Sequence, residues 1–348
     1  MSPHPLDAIP LSEPAQLLRY RDRQYAAEAM AVAILHLDLF TWIRDQGGAT
    51  MADVTAHFGF ATRPVDVLLT LCVANDFLAR DASDRFQVTT LATEHLVKGA
   101  DWYLGPYYEP IRDTPITRDF LQTLQTGKPA NWQAKDDGED WHASMMSEEF
   151  AEGFTQLMDC RGRAFGQAMA RALSSELTGR RRVLDVGGGS GIYAATMVAR
   201  YPHINGVVFE QAPVDAIARR ELAKHGLADR VTVETGDMFL DPWPVGCDVF
   251  LLSNVLHDWD LPEVQRLLQK TADSMESGSL LILHEAFLRE DKSGPLPVAE
   301  YSVLLATITQ GRCYAPGEYG SILHGLGFDV GPYRDTIADR GFMTAIKR

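Results

Sequence analysis

The chain has 348 residues, 46% of them hydrophobic, which is enough apolar material to bury the cores of one or two globular domains. Its formal net charge of −15 would repel a phosphate backbone, so the composition argues against a nucleic-acid partner and favours a small-molecule substrate. Four dispersed cysteines, and the lack of a leader or a long apolar run, predict a soluble, cytoplasmic protein without disulfides or membrane contact.

Residues 1–100 have the pattern of a mainly helical domain that contains a winged helix. Apolar residues at three- and four-residue spacing predict helix over residues 11–40. The pattern then becomes helix, turn, helix and a two-stranded wing, at residues 51–60, 63–72, 77–80 and 86–89.

A winged helix either reads DNA or serves as a structural module. Residues 1–100 contain eight Lys or Arg against twelve Asp or Glu. The second helix offers Val, Leu and Cys where a DNA reader offers polar side chains to base edges. The sequence therefore favours a dimerisation module, and a DNA-binding regulator remains the alternative.

Residues 101–178 are rich in aromatic and methionine side chains, Trp132 and Trp141 among them. Large, adaptable side chains of this kind fill cores and also line small-molecule pockets. We predict a helical linker that contributes to a substrate pocket, with Phe154 and Met158 in its wall.

From residue 179 to residue 348 short apolar runs alternate with helical segments. Strands are predicted at residues 182–186, 206–210, 231–234, 248–253 and 279–284, and helices at residues 193–200, 214–225 and 262–275. Strict alternation implies a parallel sheet covered by helices on both faces. A last helix at 316–326 and strands at 327–330 and 342–347 predict an antiparallel hairpin at the sheet edge. The fold class is therefore α/β and Rossmann-like.

The first strand of this α/β half leads into a glycine loop, residues 187–191. Gly187 and Gly189 lack a Cβ, so the backbone can approach a ligand closely. Open α/β sheets bind ligands at the carboxyl ends of their strands. Ile192 replaces the third glycine of the dinucleotide fingerprint, which disfavours a pyrophosphate ligand.

Three acidic residues lie at the predicted ends of three successive strands. Asp185 precedes the glycine loop and can accept a hydrogen bond from a ligand's amino group. Glu210 can accept from both hydroxyls of an adenosine ribose. Asp237 can accept from the adenine amino group, with Met238 and Phe239 enclosing the ring. Three acids in this arrangement are more specific than any one of them.

The fourth and fifth strands carry the candidate chemistry. Ser253 ends the fourth strand and is predicted to contact the cofactor, and His257 and Asp258 follow it. A histidine at this edge can remove a proton from a hydroxyl group. Glu285, at the end of the fifth strand, can orient that ring and stabilise its cation. The alternative is that His257 or Asp258 caps the helix that follows.

These motifs together carry a resemblance to a known family. The runs VLDVGGGSG, FE, GDMF, SNVLHDWD and HE, with a winged helix before them, resemble the plant-type and bacterial small-molecule O-methyltransferases. The resemblance covers nearly the whole chain, and HDW is its most specific part. It implies a class I methyltransferase domain, a dimerising helical N-terminal domain, a homodimer and S-adenosylmethionine as cofactor. It also implies that His257 is the base and Glu285 its partner.

One segment departs from the plant type. Plant-type members carry a second glutamate in a Glu-Arg-Thr run, and here Cys313 takes its place within Gln-Gly-Arg-Cys-Tyr. That run also resembles bacterial enzymes that methylate the β-carbon of α-keto acids, some of which bind a metal at the His-Asp pair. Arg312 can bind a substrate carboxylate, or be an exposed loop arginine. Gln310 is a poor ligand beside His257 and Asp258, so we predict no metal.

The sequence therefore predicts an enzyme that transfers the methyl group of S-adenosylmethionine to a hydroxyl of a small aromatic metabolite. C-methylation of an α-keto acid, with or without a metal, remains open, as does a winged-helix regulator without catalytic activity.

Overall fold

The computed structural model describes residues 4–129 and 147–348. The α-helices of these residues are α1 (Ala15–Asp22), α2 (Ala26–Ala31), α3 (Leu39–Asp45), α4 (Met51–Phe58), α5 (Thr62–Ala74), α6 (Thr90–His95), α7 (Gly105–Tyr108), α8 (Pro115–Thr126), α9 (Glu148–Ala172), α10 (Ile192–Arg200), α11 (Val214–Lys224), α12 (Leu261–Ser274), α13 (Leu296–Ile308) and α14 (Pro316–Gly325). The strands are β1 (Leu78–Arg80), β2 (Phe86–Val88), β3 (Arg182–Val186), β4 (Asn205–Glu210), β5 (Val231–Thr235), β6 (Val249–Ser253), β7 (Leu280–Glu285), β8 (Phe328–Val330), β9 (Arg334–Asp335) and β10 (Gly341–Lys347).

The described residues form two compact units. The helical unit contains residues 17–129 and 288–315, and the sheet unit contains residues 4–16, 147–287 and 316–348. Both units are discontinuous in sequence. This grouping therefore differs from the linear division at residues 100 and 178, because it assigns α13 to the helical unit and α9 to the sheet unit.

The sheet has the strand order β5-β4-β3-β6-β7-β10-β8, with β9 paired to β10. Strands β3 to β7 are parallel, and β10 runs antiparallel to β7 and β8. The predicted parallel strands and the antiparallel hairpin at the edge are confirmed, each parallel strand to within one residue at either end. The strand order reverses at β3, which has β4 on one side and β6 on the other. In such sheets the ligand crevice lies at this reversal.

Two glycines hold α9 close to α10 inside the sheet unit. A Cβ at Gly162 would lie 2.7 Å from Ile192 Cγ2, and one at Gly166 would overlap Thr196. Small residues four apart on one helix face allow this approach. As a result α9 lies beside the first turn of the helix that follows the glycine loop.

The chain's first described residues also pack onto these two helices. The Asp7 carboxylate lies 3.1 Å from both Arg171 of α9 and Arg200 of α10. Gln167 donates to the Ala8 carbonyl at 2.9 Å, and Leu6 is buried. The sheet unit therefore includes a short N-terminal segment that joins α9 to α10.

The helical unit contains the predicted winged helix, formed by α4, α5 and the antiparallel pair of β1 and β2. A capping box between Thr50 and Asp53 begins α4. Residues 63–72 of α5 are buried throughout. The helix that a DNA reader would insert into a groove is thus enclosed by its own unit, as a structural module requires.

Residues 11–40 are largely helical, as predicted, but the segment is broken into several pieces and begins only at Ala15. The chain turns between α1 and α2, a π-type turn spans Val32–His36, and Asp38 has a left-handed φ of 47° before α3. Inserted turns of this kind bend helices. No single helix among the described residues has the length and apolar content to cross a bilayer; by those two criteria only the bent pair Ala26–His36 and Leu39–Asp45 would do so.

Candidate functional site

The glycine loop joins β3 to α10 at the reversal of strand order. Gly187, Gly189 and Gly191 have φ values of 63°, 58° and 80°, which favour glycine. A Cβ at Gly189 would meet no atom within 4 Å, whereas one at Gly187 would lie 3.5 Å from the sulfur of Met238. The loop therefore leaves open space above Gly189 and is flanked by a thioether at Gly187, which fits a ligand that approaches the backbone closely.

Asp185 lies under this loop and is 1% exposed. Its Oδ2 accepts from the Ala194 amide at 3.1 Å, and its Oδ1 has no hydrogen-bond partner among the described residues. Burial, opposed by the Ala194 hydrogen bond and assisted by the nearby Glu210 charge, raises the pKa of this carboxyl to about 7. An unpartnered buried oxygen is consistent with the predicted contact to a ligand's amino group, which stays a prediction.

Glu210 at the end of β4 is fixed by the backbone. Its Oε2 accepts from the Gly189 amide at 2.9 Å, and its Oε1 accepts from the Gln211 amide at 2.8 Å. Burial raises the pKa of this carboxyl to about 7. Each oxygen keeps further acceptor capacity. The carboxylate is therefore held beside the open space above Gly189, where it could hold the ribose of a cofactor.

Asp237, Met238 and Phe239, which are predicted to surround an adenine ring, lie in the turn after β5 and have different contacts. Asp237 Oδ1 accepts from the Phe239 and Leu240 amides at 2.7 and 3.2 Å, so one carboxylate oxygen is used in capping the turn. Met238 lies against the glycine loop, but Phe239 packs edge-on against Trp259. Met238 is thus in place for a cofactor contact, while the role predicted for Phe239 is supported less well.

Gly189→Ala is expected to weaken binding of S-adenosylhomocysteine at least about tenfold, or 1.4 kcal/mol. The added Cβ would occupy the space above the loop, and the left-handed backbone would cost about 1–2 kcal/mol of stability. Isothermal titration calorimetry measures the affinity, and thermal unfolding measures the stability.

Gly226→Ala is the matched control for that variant. Gly226 has a similar φ of 68° and also has no atom within 4 Å of a Cβ, but it follows α11. Equal losses of stability with a loss of affinity only in Gly189→Ala are expected. Equal affinities in the two variants would contradict a cofactor site above Gly189.

His257 lies in a short 3-10 turn, Leu256–Asp258, directly after β6. The ring is 2% exposed, and its Nδ1 contacts Oε2 of Glu285, which is 1% exposed. The other carboxylate oxygen of Glu285 accepts from the Val255 and Leu256 amides at 3.0 and 2.9 Å. Glu285 thus holds both the backbone and the ring of this turn, and the predicted contact between His257 and Glu285 is present.

Asp258 flanks the other side of the ring. Its Oδ1 lies 3.7 Å from His257 Nε2. Burial raises the pKa of Asp258 to about 6, while the charges of His257 and Arg161 act to lower it. Nothing in the sequence marks Arg161 as a site residue, because an arginine within an amphipathic helix carries no signal of its own.

The two predicted wall residues lie on α9. Phe154 stacks on Phe150, with ring centroids 6.1 Å apart, and both pack against Ala151, Val214 and Ile217. Met158 accepts from Arg161 at 2.9 Å. Met158 is therefore next to a residue whose charge reaches Asp258, whereas Phe154 packs within α9 and against the start of α11. Trp132 and Trp141 lie outside the described residues.

Arg312 lies in the helical unit and is 8% exposed, so it is not an exposed loop arginine. Its Nε lies 3.4 Å from Asp66, and its guanidinium lies 4.1 Å from the centroid of the Tyr314 ring. Cys313 is fully buried. Arg312 already has a carboxylate partner within its own unit, and its predicted contact with a substrate carboxylate stays a prediction.

Ser253 is also committed to neighbouring side chains. Its hydroxyl is hydrogen-bonded to His284 Nδ1 at 2.8 Å and accepts from Asn254 at 3.2 Å. A direct cofactor contact by Ser253 would have to share this hydroxyl and stays a prediction. Over residues 4–129 and 147–348 no three His, Cys, Asp or Glu side chains are grouped so that they could hold a metal ion.

Comparisons with known proteins identify the family of the chain. The model of the O-methyltransferase domain matches residues 119–329. A 3-hydroxy-5-methyl-1-naphthoate 3-O-methyltransferase from Streptomyces sahachiroi is 30% identical over 283 residues, which cover 81% of this chain and 80% of the relative. An L-tyrosine C(3)-methyltransferase from Streptomyces lavendulae is 26% identical over 310 residues, 85% of this chain and 82% of the relative.

A solved structure is similar over the full length. The crystal structure of an O-methyltransferase family 2 protein from Planctomyces limnophilus, in complex with apigenin, has a TM-score of 0.88 at 26% identity and covers all of both chains. The family match spans more than half of the chain and includes the glycine loop, Glu210, His257 and Glu285. The chain belongs to the O-methyltransferase family, and it is an S-adenosylmethionine-dependent O-methyltransferase that acts on a small molecule.

Proposed function

We propose that the methyl acceptor is a hydroxyl of an aromatic small molecule and that His257 is the general base. The observation that carries this proposal is the placement of the His257 ring between Glu285 and Asp258 at the carboxyl edge of the sheet. The Glu285 contact occupies Nδ1 and so leaves Nε2 as the nitrogen that takes the proton. An acid-oriented histidine is a common proton acceptor in catalysis.

In this mechanism the protein positions the cofactor and the acceptor and removes the proton of the acceptor hydroxyl. When bound, S-adenosylmethionine supplies a methyl group already activated by a positively charged sulfur. The glycine loop and Glu210 would hold that cofactor beside β3. His257 Nε2 would take the proton from the acceptor hydroxyl as that oxygen bonds to the methyl carbon and the carbon–sulfur bond breaks to release S-adenosylhomocysteine, and Glu285 would stabilise the resulting imidazolium. Alignment of the two reactants supplies much of the rate enhancement in reactions of this type.

Support for an aromatic acceptor comes from α9 and from the relatives. Met158 is half-buried beside Arg161 and offers a polarizable surface of the kind that packs on aromatic rings. The Streptomyces sahachiroi relative is named for a hydroxynaphthoate, and the Planctomyces limnophilus protein was crystallised with the polyphenol apigenin. We therefore propose phenols fused to, or linked to, a second ring as the acceptor class.

Incubation with S-adenosylmethionine labelled with ¹³C in its methyl group tests this proposal. Apigenin and 3-hydroxy-1-naphthoate are the acceptors, and mass spectrometry with ¹³C NMR identifies the product. A product whose labelled carbon is bonded to oxygen is expected. A labelled carbon bonded to ring carbon, or transfer only to an α-keto acid such as phenylpyruvate, would contradict the proposal.

The affinity for S-adenosylhomocysteine is expected to depend on pH through Glu210. Ribose hydroxyls donate to the ionised carboxylate of Glu210. In the protein without cofactor, burial raises the pKa of Glu210 to about 7. Affinity should therefore rise as pH increases towards about 7, by at most about tenfold per pH unit for one group, and level off above it.

Calorimetry between about pH 5.5 and pH 8.5 measures this dependence. Glu210→Gln should bind less tightly and show a shallower slope. Asp185→Asn is the companion variant, because the pKa of Asp185 is also about 7 and its contribution must be separated. An unchanged slope in Glu210→Gln would contradict a ribose contact by Glu210.

We also propose a homodimer formed through the helical unit. Large apolar side chains are exposed there, with Trp102 at 64% and Tyr107 at 83%. Exposed apolar side chains close together mark interaction surfaces. Sedimentation should give about twice the 38.6 kDa chain mass, and a monomer at micromolar concentration would contradict the proposal.

A further inference from the structure

Asn254 is the residue at which the chain leaves β6 and turns towards His257. Its φ is 54°, in the left-handed region. Among residues with a side chain, Asn is one of the few that adopt this conformation readily. Its own amide donates to the His284 carbonyl at 2.8 Å, so the turn begins with Asn254 still attached to β7.

The side chain of Asn254 is held from both ends. Its Nδ2 donates to the Tyr193 hydroxyl at 2.9 Å and to Ser253 Oγ at 3.2 Å. Its Oδ1 accepts from Arg340 Nε at 3.4 Å. Because arginine only donates, the carboxamide has one orientation that satisfies all three partners.

The turn fixed in this way determines where His257 lies. The two residues after Asn254 direct their amides to Glu285 Oε1, and His257 then contacts the other oxygen of the same carboxylate. A change in the φ of Asn254 would rotate both amides away from Glu285 and move the ring with them. Displacement of a catalytic group by about 1 Å can lower a rate by about 10²-fold.

The same side chain reaches the other half of the site. Tyr193 is the second residue after the glycine loop and belongs to the first turn of α10. Its ring also packs edge-on against His284, with centroids 5.7 Å apart. His284 is fully buried, and burial together with the Arg340 charge lowers its pKa to about 3, so it remains a neutral partner for Ser253.

We propose that Asn254 is a positioning residue that holds His257 against Glu285 and links that turn to the glycine loop through the Tyr193 hydroxyl. This inference rests on the proposed role of His257 as the base. In this proposal the hydrogen-bonded network around Asn254 aligns the base with the glycine loop. The network contains Tyr193, Ser253, Asn254, His284 and Arg340.

The first test needs no acceptor. The Nδ1 proton of His257, which faces Glu285 Oε2, is sought by ¹H–¹⁵N NMR on histidine-labelled protein and assigned by its loss in His257→Asn. In Asn254→Ala the resonance should shift or broaden, and in Tyr193→Phe it should change in the same direction by less. A wild-type resonance in both variants would overturn the proposal.

Asp76→Ala is the control for backbone strain. Asp76 has a left-handed φ of 57° and lies in the helical unit. It should lose stability as Asn254→Ala does but keep the wild-type resonance. Asn254→Gly, which adopts the left-handed conformation freely, should recover part of the signal. If Asn254→Ala does not fold, Tyr193→Phe and Asn254→Gly decide the question.

Kinetics separate this inference from the proposed function. With an acceptor that is methylated, Asn254→Ala should lower kcat about 10- to 100-fold while KM for S-adenosylmethionine changes much less. A wild-type kcat in Asn254→Ala, with His257→Ala inactive, would refute the positioning role alone. Full activity in His257→Ala would refute the proposed function itself.

Discussion

His257→Ala is expected to lower turnover by about 10²- to 10⁴-fold, the range that a general base contributes. The affinity for S-adenosylhomocysteine should stay close to that of the wild type, because the groups around the glycine loop are Asp185, Glu210 and Met238. Initial rates and calorimetry on the same preparation measure the two quantities. A selective loss of turnover is the signature of a group that acts on the acceptor.

His324→Ala provides the control for that variant. His324 is exposed on α14 and has no place in the site, so its loss should leave turnover unchanged. His257→Asn keeps a polar side chain of similar size and should be as inactive as His257→Ala. Wild-type turnover in either His257 variant would remove this residue from the mechanism.

Glu285→Gln is expected to lower kcat by about 10²-fold or more with little loss of stability. The amide keeps an oxygen for the Val255 and Leu256 amides, but it places an NH₂ group against His257 Nδ1. That group favours the tautomer with the proton on Nε2, which cannot act as the base; the corresponding change in serine proteases costs about 10⁴-fold. Rates and thermal unfolding measure the two effects.

Glu285→Ala should behave differently from Glu285→Gln. Removal of the carboxylate leaves two buried amides without an acceptor, at a cost of about 1–3 kcal/mol each. This variant should therefore lose stability as well as turnover. Glu276→Gln, on an exposed residue, is the control and should change neither. A fully active Glu285→Gln would show that Glu285 is only a structural acceptor.

The sequence predicted the sheet unit well for a physical reason. Strands β3, β4, β6 and β7 each contain a short, buried apolar run, as strands covered on both faces require, whereas the edge strand β5 alternates apolar and polar residues and is largely exposed. Chain order then places Asp185, Glu210, His257 and Glu285 at one edge, because parallel strands share their carboxyl ends. The contact between His257 and Glu285 could be predicted from that rule alone.

What the sequence could not show depends on distant partners. The left-handed turn at Asn254 is stabilised by Tyr193 and Arg340, which are 61 and 86 residues away in the chain. Arg312 is buried because Asp66 pairs with it within the helical unit. No local pattern marks either interaction, since both arise only when the chain is folded.

The break in the predicted N-terminal helix has a related cause. The six consecutive residues 29–34 are all apolar and buried, so this stretch is apolar on every face. Without a polar face the periodicity does not reveal where one helix ends and the next begins. The boundary before α3 lies at Asp38, whose left-handed φ of 47° is seen only in the folded chain.

The most direct test of the central claim is a crystal structure of the protein with S-adenosylhomocysteine and an acceptor that the enzyme methylates, such as apigenin. We predict that the acceptor hydroxyl lies about 2.6–3.2 Å from His257 Nε2 and faces the cofactor sulfur. A hydroxyl held by another side chain, with His257 Nε2 out of hydrogen-bond reach, would contradict the account.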